Sequence, residues 1–120
     1  MLRPQNDRQK SSEADMAERD RAQNPETDAL FEAILALESK EECCRFFSDL
    51  CTIKELGDMA QRLQAAKMLL DGKTYEQIVR EVEISTATIS RINRCIQYGP
   101  GGYREVIEKV RKNGSPEEPA

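Results

Sequence analysis

The chain has no histidine and no tryptophan, and aromatic residues make up only 5% of its 120 residues. Without histidine the commonest general base is missing, so a Ser-His or Cys-His catalytic arrangement is excluded. Because no glycine-rich phosphate loop or recognisable carboxylate pair takes its place, we do not expect an enzyme. The shortage of aromatic residues also predicts a thin core for a single copy, which association would remedy.

Long hydrophobic runs are missing too. No apolar stretch approaches the roughly 20 residues that span a bilayer, and the first ten residues, MLRPQNDRQK, do not resemble a secretion signal. We therefore expect a cytoplasmic protein with no membrane partner.

The cysteines, Cys43, Cys44, Cys51 and Cys95, lack the paired spacing of structural zinc sites. Buried free thiols, no bound metal and no resident cofactor are expected.

Charge is distributed unevenly along the chain. The net charge of −4 and the pI of about 5.0 argue at first sight against a nucleic-acid partner. Residues 24–53 contain two basic and seven acidic residues, whereas residues 54–112 contain eleven basic and eight acidic residues. Since DNA affinity depends on the local arrangement of Lys and Arg, the second segment remains compatible with DNA binding.

Hydrophobic periodicity predicts an all-α chain with six helices and no repeats. Residues 1–23 are polar and are expected to form a disordered arm, residues 24–113 a helical domain, and residues 114–120 a flexible tail. Helix starts are marked by Asn24-Pro25 and by capping residues at Ser39, Thr52, Thr74 and Ser85. Gly72 marks the end of the third helix, and the break at 99–102 precedes the sixth.

The segment from about 74 to 97 is typical of a helix-turn-helix. Thr74 and Gln77 form a predicted capping box before a short amphipathic helix that carries Ile78, Val79 and Val82. Ser85 then caps a second helix, whose inward stripe is Ile89, Ile92 and Ile96. Glu83 stands where many such turns have a glycine at positive φ, so the turn is either slightly strained or built with another dihedral angle.

The outer face of the second helix has the side chains that a DNA-reading helix needs. Small residues can approach base edges in the major groove, while hydroxyls and guanidinium groups bind bases or phosphates. The predicted DNA-binding residues are Lys73, Arg80, Ser85, Thr86, Ala87, Ser90, Arg91 and Arg94. The basic residues among them could equally be ordinary solvated charges. A second hypothesis therefore remains, in which the helix-turn-helix docks onto another regulatory protein instead of DNA.

The segment LCTIKELGDMAQRLQAAKMLLDGKTYEQIVREVEISTATISRINRCI resembles the Trp repressor superfamily, within it the proteins of the YerC/YecD type. The resemblance covers residues 24–112. It implies an intertwined homodimer in which the first three helices of both chains form one core and two helix-turn-helix units project from it. It also implies a sequence-specific transcriptional regulator, most simply a repressor, that binds double-stranded DNA at two half-sites about one helical turn apart.

The resemblance further implies an effector pocket. Arg62 and Arg91 match the two arginines that hold tryptophan in the responsive members, and Thr52 and Thr88 match the hydroxyls of that pocket. Ile92 stands where the tryptophan-binding protein has glycine, and its branched side chain would occupy the volume of the indole ring. A small-molecule co-repressor is thus compatible with the sequence, but tryptophan is not the expected one. Arg62 and Arg91 could bind another small anion, pair with carboxylates such as Asp58, or contact phosphates.

Overall fold

The computed structural model describes residues 24–114, and all its regular structure is helical. Six helices follow one another along this part of the chain: α1 (Pro25–Leu35), α2 (Lys40–Leu50), α3 (Ile53–Leu70), α4 (Tyr75–Glu81), α5 (Thr86–Tyr98) and α6 (Gly102–Asn113). The predicted all-α class and the six helices are confirmed. The predicted arm over 1–23 and all of the predicted tail except Gly114 lie outside the described residues.

The chain divides into two compact units, with the boundary between Leu50 and Cys51. In unit one, α1 starts at Pro25 behind the cap Asn24, whose Oδ1 accepts a hydrogen bond from the amide of Thr27 at 2.8 Å. Neither α1 nor α2 contains a buried residue. The described residues 24–114 therefore leave the apolar faces of both helices without a full covering.

The start of α2 differs in detail from the predicted capping box. The Ser39 hydroxyl accepts from the Glu42 amide at 3.1 Å, as the box requires. The Glu42 carboxylate, however, accepts from the amide of Glu38 at 2.8 Å. One additional amide before the helix is thus satisfied, because the glutamate side chain extends one residue further back than in the usual reciprocal arrangement.

Unit two contains α3 to α6 and a small aliphatic core. Helix α3 packs against each of the other three helices, and α5 packs against α4 and α6. The buried side chains are all apolar: Ala65, Ala66, Met68, Ile78, Val82, Ile89, Ile92, Ile96 and Ile107. The two alanines have little side-chain volume, so they let neighbouring helices approach α3 closely. This core fixes the orientation of α5, which carries most of the predicted DNA-binding residues.

Capping boxes and a glycine define the ends of α3 and the start of α4. Thr52 and Glu55 exchange side-chain to backbone hydrogen bonds at 3.0 and 2.9 Å. Thr74 and Gln77 do the same at 3.1 and 2.8 Å. Between these two helices Gly72 adopts φ +85°, a left-handed conformation that glycine adopts without a Cβ penalty.

The connection between α4 and α5 begins and ends with extended backbone. Val82, the residue after α4, has φ −123° and ψ 133° and is buried in the core, and the cap Ser85 has φ −80° and ψ 157°. The two glycines that adopt positive φ, Gly72 and Gly101, both lie outside this turn.

Apolar residues recur at helical spacing along α3, but burial is confined to its last turns, where Ala65, Ala66 and Met68 lie in the core. Leu56, Met59 and Leu63 remain 38%, 36% and 42% exposed. The expectation of buried thiols was wrong. Cys44 and Cys95 are exposed, while Cys43 and Cys51 are partly buried. In a unit with so few helices, each helix has neighbours on one side only, so the residues on its other side stay exposed.

Candidate nucleic-acid interface

Helix α5 presents one face to the core and the opposite face to solvent. Ile89, Ile92 and Ile96 are buried, as the spacing predicted. At 100° per residue, positions 87, 91 and 94 point away from these isoleucines. Ala87, Arg91 and Arg94 are all exposed there. A small side chain near the start of the helix and two guanidinium groups further along therefore share one outward line.

The opening of α5 holds the remaining small polar residues of the predicted site. Thr86 and Ser90 are exposed. Ser85 is exposed too, but its hydroxyl already caps the helix, because it accepts from the amide of Thr88 at 3.1 Å and lies 3.0 Å from the Thr88 hydroxyl. Ser85 thus has a structural task that competes with any contact its oxygen could make with a base.

Lys73 lies just before α4, and Arg80 lies within it. Lys73 follows Gly72 in the turn before the helix, is exposed, and donates its backbone amide to the carbonyl of Met68 at 3.0 Å. Arg80 is exposed on the helix itself and lies 3.9 Å from Glu76, one turn earlier. An exposed pair this long holds the guanidinium weakly, so Arg80 stays available to a phosphate.

A cleft of about 350 Å³ lies between α3 and the start of α5. It is lined by Asp58, Gln61, Arg62, Glu83, Ile84, Ser85, Thr88 and Arg91. The structure thus brings Arg62, Thr88 and Arg91 of the predicted effector pocket together. It places the other two elsewhere: Thr52 is the exposed cap of α3, and Ile92 packs into the core.

The cleft contains charges of both signs. Arg62 and Arg91 contribute the positive groups, and Asp58 and Glu83 the negative ones. Asp58 does not pair with Arg62 one turn later, because its carboxylate lies 3.1 Å from the Nζ of Lys54. Within residues 24–114 neither cleft arginine forms an ion pair. Both guanidinium groups therefore keep their donors for another partner.

A second, shallower cleft of about 380 Å³ lies beside the first. Its lining is Ala60, Gln61, Gln64, Glu81, Val82 and Glu83.

Over the described part of the chain, no three His, Cys, Asp or Glu side chains are grouped so that they could hold a metal ion. No helix there is long and apolar enough to cross a membrane.

Sequence reasoning did not assign some residues that the structure brings to this surface. Gln61, Glu83 and Ile84 line the first cleft, and no spacing rule singled them out because they come from a helix and a loop that meet only in the fold. Tyr98 ends the outward line of α5. Its spacing of four residues from Arg94 was a signal that the sequence already contained.

Comparisons with known proteins give a consistent result. A family model described as Trp repressor protein matches residues 25–111. The chain is similar to YerC of Bacillus subtilis (strain 168), an uncharacterised protein, with 48% identity over 93 residues that cover 78% of this chain and 89% of that one.

Two solved structures are also similar. A TrpR-like protein from Eubacterium eligens ATCC 27750 has a TM-score of 0.73 and 42% identity, over 76% of this chain and 94% of that one. A candidate Trp repressor from Staphylococcus aureus has a TM-score of 0.73 and 45% identity, over 76% of this chain and 91% of its own.

Proposed function

The chain belongs to the Trp repressor family, and we propose that it is a dimeric, sequence-specific DNA-binding regulator that represses transcription by occupying an operator. The observation that carries the proposal is the orientation of α5. Its isoleucines are buried, and its exposed residues include small hydroxyl side chains and arginines. Such a face has the size and the donors that reading a major groove requires.

The contacts divide by position on the helix-turn-helix. Thr86, Ala87 and Ser90 lie at the opening of α5 and are proposed to meet base edges, with Arg91 reaching a guanine or the backbone. Lys73, Arg80 and Arg94 are proposed to bind phosphates, which positions the unit without reading sequence. Ser85 is proposed to contribute mainly as the helix cap. Residues 24–113 would form the DNA-binding domain, with the segments on either side as its arm and tail.

Uncovered apolar surface in each unit supports the homodimer. In unit one, Phe31, Leu35 and Leu50 are exposed. In unit two, Ile53, Leu56, Met59 and Leu63 are exposed on α3. A monomer with so many large apolar side chains exposed to water would be prone to aggregate. We propose that a second copy covers these side chains, in the intertwined arrangement that the family resemblance implies.

The cleft between α3 and α5 is the proposed effector pocket. Arg62 and Arg91 form no ion pair with any residue in 24–114, and Thr88, whose hydroxyl lies 3.0 Å from that of Ser85, also lines the cleft. A small molecule with an anionic group would fit this chemistry. Ile92 packs into the core and is not among the residues that line this cleft, so the sequence-based argument against tryptophan does not apply to it.

A selection experiment tests the function. The purified full chain is incubated with a pool of random-sequence duplexes, and the recovered DNA is sequenced. We expect enrichment of a two-fold symmetric site with half-site centres about 34–36 Å apart. Affinity for that duplex should fall steeply with salt, because each phosphate contact releases counterions. Recovery of no common sequence would instead support the protein-docking hypothesis.

Substitution of Arg91 tests the interface itself. Arg91→Ala should weaken binding to the selected duplex by roughly tenfold or more and lower the salt slope by about one. Arg104→Ala is the matched control, because Arg104 is exposed on α6 and outside the proposed interface. Both variants are measured by fluorescence anisotropy over a salt series. Equal affinities for Arg91→Ala and the unsubstituted chain would contradict the proposed interface.

A further inference from the structure

Tyr98, the last residue of α5, keeps 83% of its surface exposed. The other two tyrosines, Tyr75 and Tyr103, pack against the core of unit two. Tyr98 therefore does not contribute to the packing that holds α5 in place. An aromatic ring with a hydroxyl at its tip is suited to a partner that has both apolar and polar atoms.

Tyr98 lies on the same face of α5 as the proposed DNA-binding residues Ala87, Arg91 and Arg94. Ala87, Arg91, Arg94 and Tyr98 are separated by four, three and four residues, so they form one line along α5. This line is opposite the buried Ile89, Ile92 and Ile96. All four of its members are exposed. Tyr98 thus continues the row of residues whose arginines are proposed to face DNA.

The length of α5 decides what Tyr98 can reach. Eleven residues separate Ala87 from Tyr98, which corresponds to roughly 16 Å along the helix axis. The major groove is about 12 Å wide. When the first turn of α5 lies at the base edges, its last turn extends beyond the groove wall. The groups at that distance are the sugars and phosphates of the DNA backbone.

The chain also turns away directly after Tyr98. Gly99 is extended, with φ −84° and ψ −171°, and its amide donates to the carbonyl of Cys95 at 2.8 Å. A Cβ on Gly99 would lie 2.5 Å from that carbonyl oxygen. This tight exit ends the helix at Tyr98 and leaves its ring uncovered at the end of the outward line.

We infer that Tyr98 is a further DNA contact, with its phenol hydroxyl donating a hydrogen bond to a phosphate oxygen at the edge of the groove that α5 reads. The inference rests on the proposed DNA-binding function. Arg94, one turn earlier, supplies the positive charge at this edge. Tyr98 supplies a neutral and directional donor, which fixes the register of the helix against the backbone.

The neutral donor predicts a signature that separates Tyr98 from an arginine contact. Tyr98→Phe removes only the hydroxyl and should weaken binding to the selected duplex by roughly three- to tenfold. Its salt slope should stay equal to that of the unsubstituted chain, because no charge is lost. Arg94→Ala should lower the slope by about 0.9. Tyr103→Phe, which removes the same atom from a tyrosine packed on the core, is the matched control and should bind like the unsubstituted chain.

Each outcome has one meaning when affinity, salt slope and sedimentation are measured together. Equal affinities for Tyr98→Phe and the unsubstituted chain would overturn the inference while leaving the proposed function intact. A change in the oligomeric state of Tyr98→Phe would also overturn it, since Tyr98 would then serve a contact between copies. If the unsubstituted chain selects no sequence, both the inference and the proposed function fail.

Discussion

At the scale of single residues, position 99 requires glycine because a Cβ would not fit there, and not because of its backbone angles. Its φ is negative, a conformation that other residues also adopt. The constraint is the Cys95 carbonyl, whose oxygen would lie 2.5 Å from any Cβ at position 99. The nearest atoms all belong to the backbone, so no side chain can move aside. The connection from α5 to α6 therefore depends on the absence of a methyl group.

Gly99→Ala should lower the free energy of unfolding by about 1–3 kcal/mol, since relief of the clash requires a backbone shift. The control is Gly102→Ala, because a Cβ there meets nothing within 4 Å. That variant should be neutral or more stable by about 0.4–1 kcal/mol, through a less flexible unfolded chain. Urea denaturation of both variants measures the difference. Equal destabilisation of the two would show that the close approach is not what matters.

At the scale of elements, the start of α5 combines a structural and a binding task within a few residues. Ser85 caps the helix through the amide of Thr88, whereas Ser90 lies one turn into the helix and is exposed. Both serines are proposed to lie near DNA. A loss of DNA affinity alone would not separate a damaged helix start from a lost contact, so stability and binding have to be measured on the same variants.

Ser85→Ala should lower the free energy of unfolding by about 1 kcal/mol, because the Thr88 amide loses its acceptor. Ser90→Ala should leave stability within about 0.5 kcal/mol, as for other exposed substitutions. Thermal melts monitored by circular dichroism, run without DNA, make the comparison. Ser85→Asp supplies another capping oxygen and should recover most of the loss. A stable Ser85→Ala variant would argue that the cap contributes little to α5.

At the scale of the whole molecule, the described residues 24–114 leave many of their large apolar side chains exposed. Helices α1 and α2 contain no buried residue, and α3 exposes Leu56, Met59 and Leu63. The buried core of unit two has no aromatic member among its nine residues. Aliphatic side chains of this number give a small core, and small cores are marginal in stability. The proposed second copy would supply the missing burial.

Leu63→Lys should convert the dimer into monomers, because it places an unpaired charge in the apolar surface that the second copy covers. The dissociation constant of the dimer should rise by roughly 100-fold or more, equivalent to about 2.7 kcal/mol. Leu63→Met keeps an apolar side chain of similar volume and should remain dimeric. Sedimentation velocity over a concentration series measures both. A monomeric unsubstituted chain would overturn the proposed dimer, and a dimeric Leu63→Lys variant would exclude this surface from it.

The helices of this protein were determined largely by local sequence. Capping residues such as Thr52, Thr74 and Ser85 bond to amides three residues away, so sequence neighbours suffice to define where each helix starts. The isoleucine spacing of α5 likewise fixed which of its faces is buried. The all-α class and the helix order followed from such short-range signals.

Only the tertiary structure decided which apolar residues are buried and which polar residues meet. Apolar residues recur regularly along α3, yet the neighbouring helices bury Ala65, Ala66 and Met68 and partly cover Leu69 and Leu70. Leu56, Met59 and Leu63 stay exposed. The cleft that joins Arg62 to Arg91 depends on how α3 crosses the start of α5. These two arginines are nearly thirty positions apart and come together through packing. Capping rules and helical periodicity relate only residues a few positions apart, so they could not predict this contact.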